Sequence, residues 1–386
     1  MRVLVTYPLT LALKYEVIDV IFQKTIKKIS AVVAAGMIGF SLIFSSAAPA
    51  TVEAAKAKTQ AEQEVDKYSL KELNTTKEGQ RALYNYFCEA KGVNSDPNKN
   101  ARLNSIMSTL SNAVRSVDPT INDLPYLYFV NNDTSLNAFC TFGHVMSVNS
   151  GTFDSIINDD ELAVVIGHEM GHGQKDHPYK GYKATQKKVL LANIGATVAG
   201  AVVGSAGSIL TDVTASVLLN QSVAHGTKSQ EKEADSLAFD YILNTNYNPG
   251  ACAAIWQRFI DISGTAIQSK VEMFFNPSDH PNNVARRDKY IKKLNEYSGK
   301  KVMAKDGVIS INGKNFITPA AANGMSAEER SYFVFGNLAV AYHNGQNKEA
   351  AQVINGTVYL GKQPIITPVA GDESAQTIAD KLNQIK

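Results

Sequence analysis

Cysteine is scarce in this chain of 386 residues: Cys88, Cys140 and Cys252 are its three, and no two stand at CxxC spacing. That excludes a disulfide framework and a cysteine-built metal cluster. Export would permit one bridge with a thiol left over; otherwise all three read as core residues. An excess of charge of either sign is also lacking. The formal net charge is +2, and residues 51–386 carry 33 Lys/Arg against 34 Asp/Glu. With no basic stripe, nucleic acid is excluded as a partner. A chain that is 44% hydrophobic and 19% charged can bury a full core and has the length for two domains.

Histidine is sparse too, seven in all, yet two of them frame His168-Glu169-Met170-Gly171-His172, an HExxH motif inside an apolar run. On a helix, positions i and i+4 lie on one face. His168 and His172 can therefore offer two imidazoles to one zinc ion, with Glu169 beside them as the catalytic base that takes a proton from water. Asn158 as N-cap with Glu161 at N3 marks the helix start as a capping box, and Gly173 and Pro178 mark its end. His177 falls off the ligand face of that helix and reads as a structural or surface histidine.

A third ligand is expected downstream. In Ser229-Gln230-Glu231-Lys232-Glu233-Ala234-Asp235 the spacing predicts a helix capped by Ser229, with Glu231 and Asp235 sharing a face with Ala234, Ala238 and Ile242. Carboxylates on an apolar face are costly unless compensated. A metal ion compensates Glu231. Asp235 either orients a ligating histidine or pairs with an arginine, and Glu233 points elsewhere, into solvent.

Around these blocks, residues 51–66 read as a linker or polar helix, and 70–117 as helices parted by Asn94–Asn98. Strand-like Pro125–Val130 and Leu136–Cys140 precede His144–Asn149. The segment Asn137-Ala138-Phe139 is either an edge strand that pairs with an extended peptide substrate or part of an ordinary hairpin. Near the C-terminus, Gly313-Lys314-Asn315-Phe316-Ile317-Thr318-Pro319 returns as Gly361-Lys362-Gln363-Pro364-Ile365-Ile366-Thr367-Pro368. Each copy follows an apolar strand and precedes a helix starting at Ser326-Ala327 or Ser374-Ala375, so 303–386 reads as two β-hairpin-plus-helix units.

Four blocks together resemble the gluzincin metalloproteases that include the CAAX prenyl endopeptidases, the HtpX-type membrane proteases and the BepA-type proteases. They are Asn137-Ala138-Phe139, the HExxH helix, Glu231-Lys232-Glu233-Ala234-Asp235 with Ala238, and His280-Pro281 with Arg286. The resemblance spans 70–297. It implies one zinc ion on His168, His172 and Glu231. The chain departs from the family in Thr141-Phe142-Gly143-His144 after the edge strand and in Gln230 after Ser229; both bear on substrate preference rather than on the metal. His280 reads as an oxyanion donor, as a plug on the metal, or as a loop histidine capping the next helix. Arg286 is placed to pair with Asp235 or Glu233.

The expected fold is therefore α+β: a mainly helical zincin-type domain over 70–298 with a small antiparallel edge sheet, then a small α/β repeat domain over 303–386. Residues 1–54 read as an export signal, with Lys24, Lys27 and Lys28 ahead of apolar Ile29–Phe44 and cleavage after Ala50 or Ala54; 55–69 is a linker. An uncleaved anchor is the alternative. The uncharged run 189–210, with Gly200 and Gly204, has the length of a membrane span, but one crossing would part His172 from Glu231; 185–224 therefore reads as a helical hairpin packed by small residues, touching a membrane surface peripherally through 189–210. The function expected is an exported, periplasmic or extracellular zinc endopeptidase acting on protein or peptide substrates in envelope quality control. An envelope chaperone or assembly factor with a plugged or vestigial metal site is the alternative, against which the intact ligand set counts.

Overall fold

Helix-forming sequence opens the described part of the chain. The computed structural model describes residues 59–184, 187, 227–262 and 283–386. The export signal, the 189–210 segment and His280 lie outside the described residues. Short helices α1 (Gln60–Val65) and α2 (Leu70–Thr75) each begin with a capping box, Thr59 with Glu62 and Ser69 with Glu72. Part of the stretch read as linker or polar helix is thus helical, anchored by buried Val65. Helices α3 (Lys77–Lys91) and α4 (Pro97–Val117) follow, with Asp96 capping α4 and Pro97 at its first turn.

Next comes a three-stranded sheet of β1 (Leu127–Asn131), β2 (Ala138–Cys140) and β3 (Val145–Asn149), in the order β1-β3-β2. The antiparallel pair expected at the edge is β2 on β3. On the other side β1 runs parallel to β3, so β1 and β2 do not form a hairpin. All five residues of β3 are buried because both faces of the sheet are covered. Val130, Ala138, Cys140, Met146 and Val148 join the main core. Phe129, Phe139 and Val145 turn the other way into a second cluster with Leu83 and Phe87 of α3.

A short helix, α5 (Ser150–Ser155), leads to α6 (Asp159–Gln174), the buried helix of the HExxH motif. Asn158 caps α6 by accepting from the backbone N–H groups of Asp160 and Glu161. The expected capping box is not completed: the Glu161 carboxylate is fully buried and turns inward to Arg258. Helix α7 (Lys228–Leu243) packs along α6. Its cap is Thr227 with Gln230 in a capping box, not Ser229, which lies inside the helix. The two helices approach closely at small residues. A Cβ on Gly171 would stand 3.2 Å from the Ala234 backbone, and one on Gly167 would stand 3.8 Å from Ala238 Cα.

Helix α8 (Ala251–Ile262) and helix α9 (Asn283–Tyr297) complete the bundle. The repeats then appear as two three-stranded antiparallel meanders, each followed by a helix. They are β4 (Val302–Lys305), β5 (Val308–Ile311), β6 (Lys314–Ile317) and α10 (Ala327–His343), then β7 (Ala351–Ile354), β8 (Thr357–Leu360), β9 (Gln363–Ile366) and α11 (Ala375–Ile385). Ser326 and Ser374 cap the two helices. Each unit has one strand more than a hairpin. Asp306-Gly307 and Asn355-Gly356, all at positive φ, make the two-residue turns that admit it.

The architecture is α+β and mainly helical. One apolar cluster runs from Leu103 through Trp256 and Phe335 to Leu382, so the repeats share the core of the helical bundle. At the start of α8, Asn248 Nδ2 donates to Phe333 O and to Asn337 Oδ1 of α10, both at 3.0 Å. Gly250 and Gly336 face each other there, and a Cβ on either would overlap the opposite chain. All three cysteines are free, with Cys140 and Cys252 buried and Cys88 partly so.

Candidate metal centre

Two turns of α6 and one of α7 bring three side chains to a point. His168 Nε2 lies 3.1 Å from His172 Nε2 and 3.3 Å from Glu231 Oε2, and His172 Nε2 lies 3.2 Å from Glu231 Oε1. All three residues are buried, and their ligand atoms fall within 4.8 Å of one another. Bonds of roughly 2.0–2.1 Å in a tetrahedron give ligand-to-ligand edges of about 3.3 Å. The observed spacings match such an ion, and two imidazole nitrogens facing a carboxylate are a donor set suited to one.

Each imidazole is held from behind. His168 Nδ1 lies 3.1 Å from Asp235 Oδ1. Arg286, buried on α9, stacks 3.6 Å over the Trp256 ring, donates from Nε to Asp235 Oδ2 at 3.1 Å and pairs through Nη2 with Oδ1. Asp235 thus touches both His168 and Arg286, and Arg286 reaches Asp235 rather than Glu233. Tyr290 Oη donates to the Asp235 backbone oxygen at 2.9 Å. Although burial would raise the Asp235 carboxyl, Arg286 and His168 hold it well below the usual range. Burial and then Arg286 pull His168 down, but Asp235 and Glu231 outweigh them and leave it raised, at about 9.

His172 is held by His177, whose Nδ1 lies 3.0 Å from His172 Nδ1. Of the two readings offered for His177, structural or surface, the structure takes the structural one, through a turn that helical spacing does not anticipate. The helix ends at Gln174, Asp176 takes a left-handed φ of 52°, and a new helical stretch starts at 177. That reversal carries His177 back against His172 and buries it. Glu233 is not merely solvated, since its Oε2 lies 3.2 Å from His177 Nε2. Burial, then the neighbouring His172, lowers His177 to about 4.

Glu169 stands half-buried beside the ligand set and accepts from the Cys140 N–H at 3.2 Å. Burial raises it to about 7. The donor is the edge strand itself. Thr141 N–H bonds Val145 O, and Asn137 O accepts from Asn149 N–H, so odd residues of β2 face β3. By alternation Ala138 and Cys140 turn their backbone groups to the open edge. Asn137 and Phe139 are therefore paired inward. Phe139 fixes the strand through an edge-on contact with Phe87, ring centroids 5.3 Å apart.

The comparisons agree with this geometry. The family model for peptidase family M48 matches residues 97–296, more than half of the chain. The chain is 27% identical over 180 residues to the metalloprotease LoiP of Escherichia coli (strain K12), covering 47% of this chain and 66% of that protein. It is 28% identical over 167 residues to the beta-barrel assembly-enhancing protease of Yersinia pestis, covering 42% and 33%. With metalloprotease YcaL of Escherichia coli (strain K12) it shares 24% over 190 residues, 49% and 72%. The matched stretch thus spans less than two thirds of the first two relatives. The family match over 97–296 holds all of the HExxH helix, the Glu231–Asp235 face and Arg286, and by it the chain belongs to peptidase family M48, which implies a divalent metal.

Proposed function

We propose that this chain is an exported zinc-dependent endopeptidase that hydrolyses peptide bonds in proteins and serves envelope protein quality control. The observation that carries the reading is the meeting of His168, His172 and Glu231 at 3.1–3.3 Å with Glu169 beside them. A buried set of two imidazoles and one carboxylate suits zinc, which when bound supplies a Lewis acid and lowers the pKa of water toward neutrality.

The chain supplies the rest. Glu169, at about 7, is poised to accept a proton from water and to pass it to the leaving amine. Cys140 N–H aims that carboxylate. The outward backbone groups of Ala138 offer an extended peptide a strand to pair with, while Asn137 and Phe139 set the position of that strand. His280 precedes Arg286 by six residues, and we assign it to the cleft as oxyanion donor or plug. Export rests on the Lys24–Lys28 charges and the apolar stretch to Phe44. The envelope role follows the beta-barrel assembly named for the Yersinia relative. Among the described residues no helix is long and apolar enough to cross a membrane; any membrane contact is assigned to 189–210.

The test is hydrolysis of casein by the purified chain, with a chelator and with Glu169→Gln. Chelation should abolish cleavage and zinc restore it. Glu169→Gln should keep its zinc and lose at least ~10²-fold in rate. Cleavage that ignores the chelator, or persists in the metal-loaded variant, would overturn the reading.

A further inference from the structure

The side of His172 turned away from the ligand set carries a chain of three groups. His172 Nδ1 lies 3.0 Å from His177 Nδ1, with the rings edge-on at 73°. The other nitrogen of His177, Nε2, lies 3.2 Å from Glu233 Oε2. An ionised carboxylate only accepts, so the His177 Nε2 must carry a proton. In a neutral ring that leaves His177 Nδ1 as an acceptor. His172 Nδ1 must then be the donor, and its Nε2 is left bare toward His168 and Glu231. One proton assignment satisfies all three groups, and it is the one a metal ligand needs.

We infer that His177, oriented by Glu233, is a positioning residue that selects the ligand form of His172. This rests on the metal-site reading above. The two histidines of the motif are thereby served differently. His168 Nδ1 faces Asp235, a buried carboxylate locked by Arg286, at 3.1 Å. His172 donates to a neutral ring whose orientation is set by Glu233, a side chain that is half exposed. The instruction for the second imidazole thus comes from the protein surface, through one intervening ring.

Glu233 gives the cleaner test because its exposure lets substitutions fold. Glu233→Gln keeps an acceptor for His177 Nε2–H. Glu233→Lys offers only a donor, which turns His177 to its Nδ1–H form and sets two N–H groups against each other at His172. Zinc affinity would be measured on the full chain by competition with a chromophoric chelator, at about 0.5 M salt to screen the added charge. Glu233→Gln should stay within about threefold of wild type, and Glu233→Lys should lose about 10- to 100-fold. Equal affinities for the two variants would overturn the inference while leaving the metal site standing. A wild-type chain that binds no zinc would overturn both. As a second readout, ¹⁵N shifts of histidine-labelled, zinc-loaded protein should show the proton on Nδ1 of His172 and on Nε2 of His177. The opposite form of His177 would also overturn it.

Discussion

Glu161, on the helix that carries His168 and His172, and Glu329, on the first repeat helix, close on the same buried guanidinium. Arg258 Nη2 lies 2.9 Å from Glu161 Oε2 and pairs directly with Glu329 Oε1. One cation cannot neutralise two buried carboxylates. Burial first, and Glu161 beside it, push Glu329 up to about 8, and burial likewise raises Glu161. Both shifts favour a proton held on the pair.

Replacing Arg258 by Met should strand both carboxylates and cost about 3–5 kcal/mol at pH 7. Glu329→Gln should cost less than about 1 kcal/mol there, since the amide resembles the protonated acid. The sign of the pH dependence follows from the raised value. Glu329 contributes its full stability below about pH 4.5 and loses it as the pH climbs through about 8. Urea midpoints of the wild type should therefore fall more between pH 5 and 8 than those of Glu329→Gln. Parallel curves would refute the shared proton.

Asp235→Asn should leave Arg286 as a buried charge with Glu231 Oε2 4.0 Å away as its remaining anion. The expected loss is about 3–5 kcal/mol of stability and 10- to 100-fold in metal affinity. Adding Arg286→Met should restore much of the stability, measured by urea unfolding, but none of the affinity. Recovery of both would mean that Asp235 serves only the arginine.

Metal uptake should expel protons. His168, raised to about 9, should be charged at pH 8 in the metal-free chain, and it must be neutral to coordinate. Calorimetry of zinc binding in buffers of differing ionisation enthalpy should report release of at least one proton per ion at pH 8. No release would show that His168 is already neutral.

Much of this centre was legible in the residues themselves. His168 and His172 at i and i+4, and Glu231 and Asp235 on one apolar face, need only helical geometry to be found. Ser326 and Ser374 marked their helices because a hydroxyl before an apolar run has few better uses. His177 was not legible because helical spacing was extended past Lys175, where the chain turns left-handed at Asp176. Glu161 looked like a capping residue because its true partner, Arg258, lies 97 residues away. The third strand of each repeat was missed although Asp306-Gly307 and Asn355-Gly356 announced the turns. The order β1-β3-β2 depends on nonlocal pairing, which no local pattern encodes.

Gly171→Ala should show how closely the two ligand helices are set. The added methyl meets the Ala234 backbone at 3.2 Å, and backbone cannot swing aside as a side chain can. We expect about 1–3 kcal/mol of destabilisation, and faster zinc loss to a chelator as α7 and Glu231 retreat. Unchanged zinc retention would show that the bundle absorbs the shift elsewhere.

At the far end of the bundle, bare glycines at 250 and 336 let α8 and α10 press backbone to backbone, with Asn248 clasping two groups of the opposite helix. Turning either helix there would drive backbone into backbone. A load applied to the two meanders would travel as strain into the helix of Arg258, and from there to Glu161 at the root of the HExxH helix.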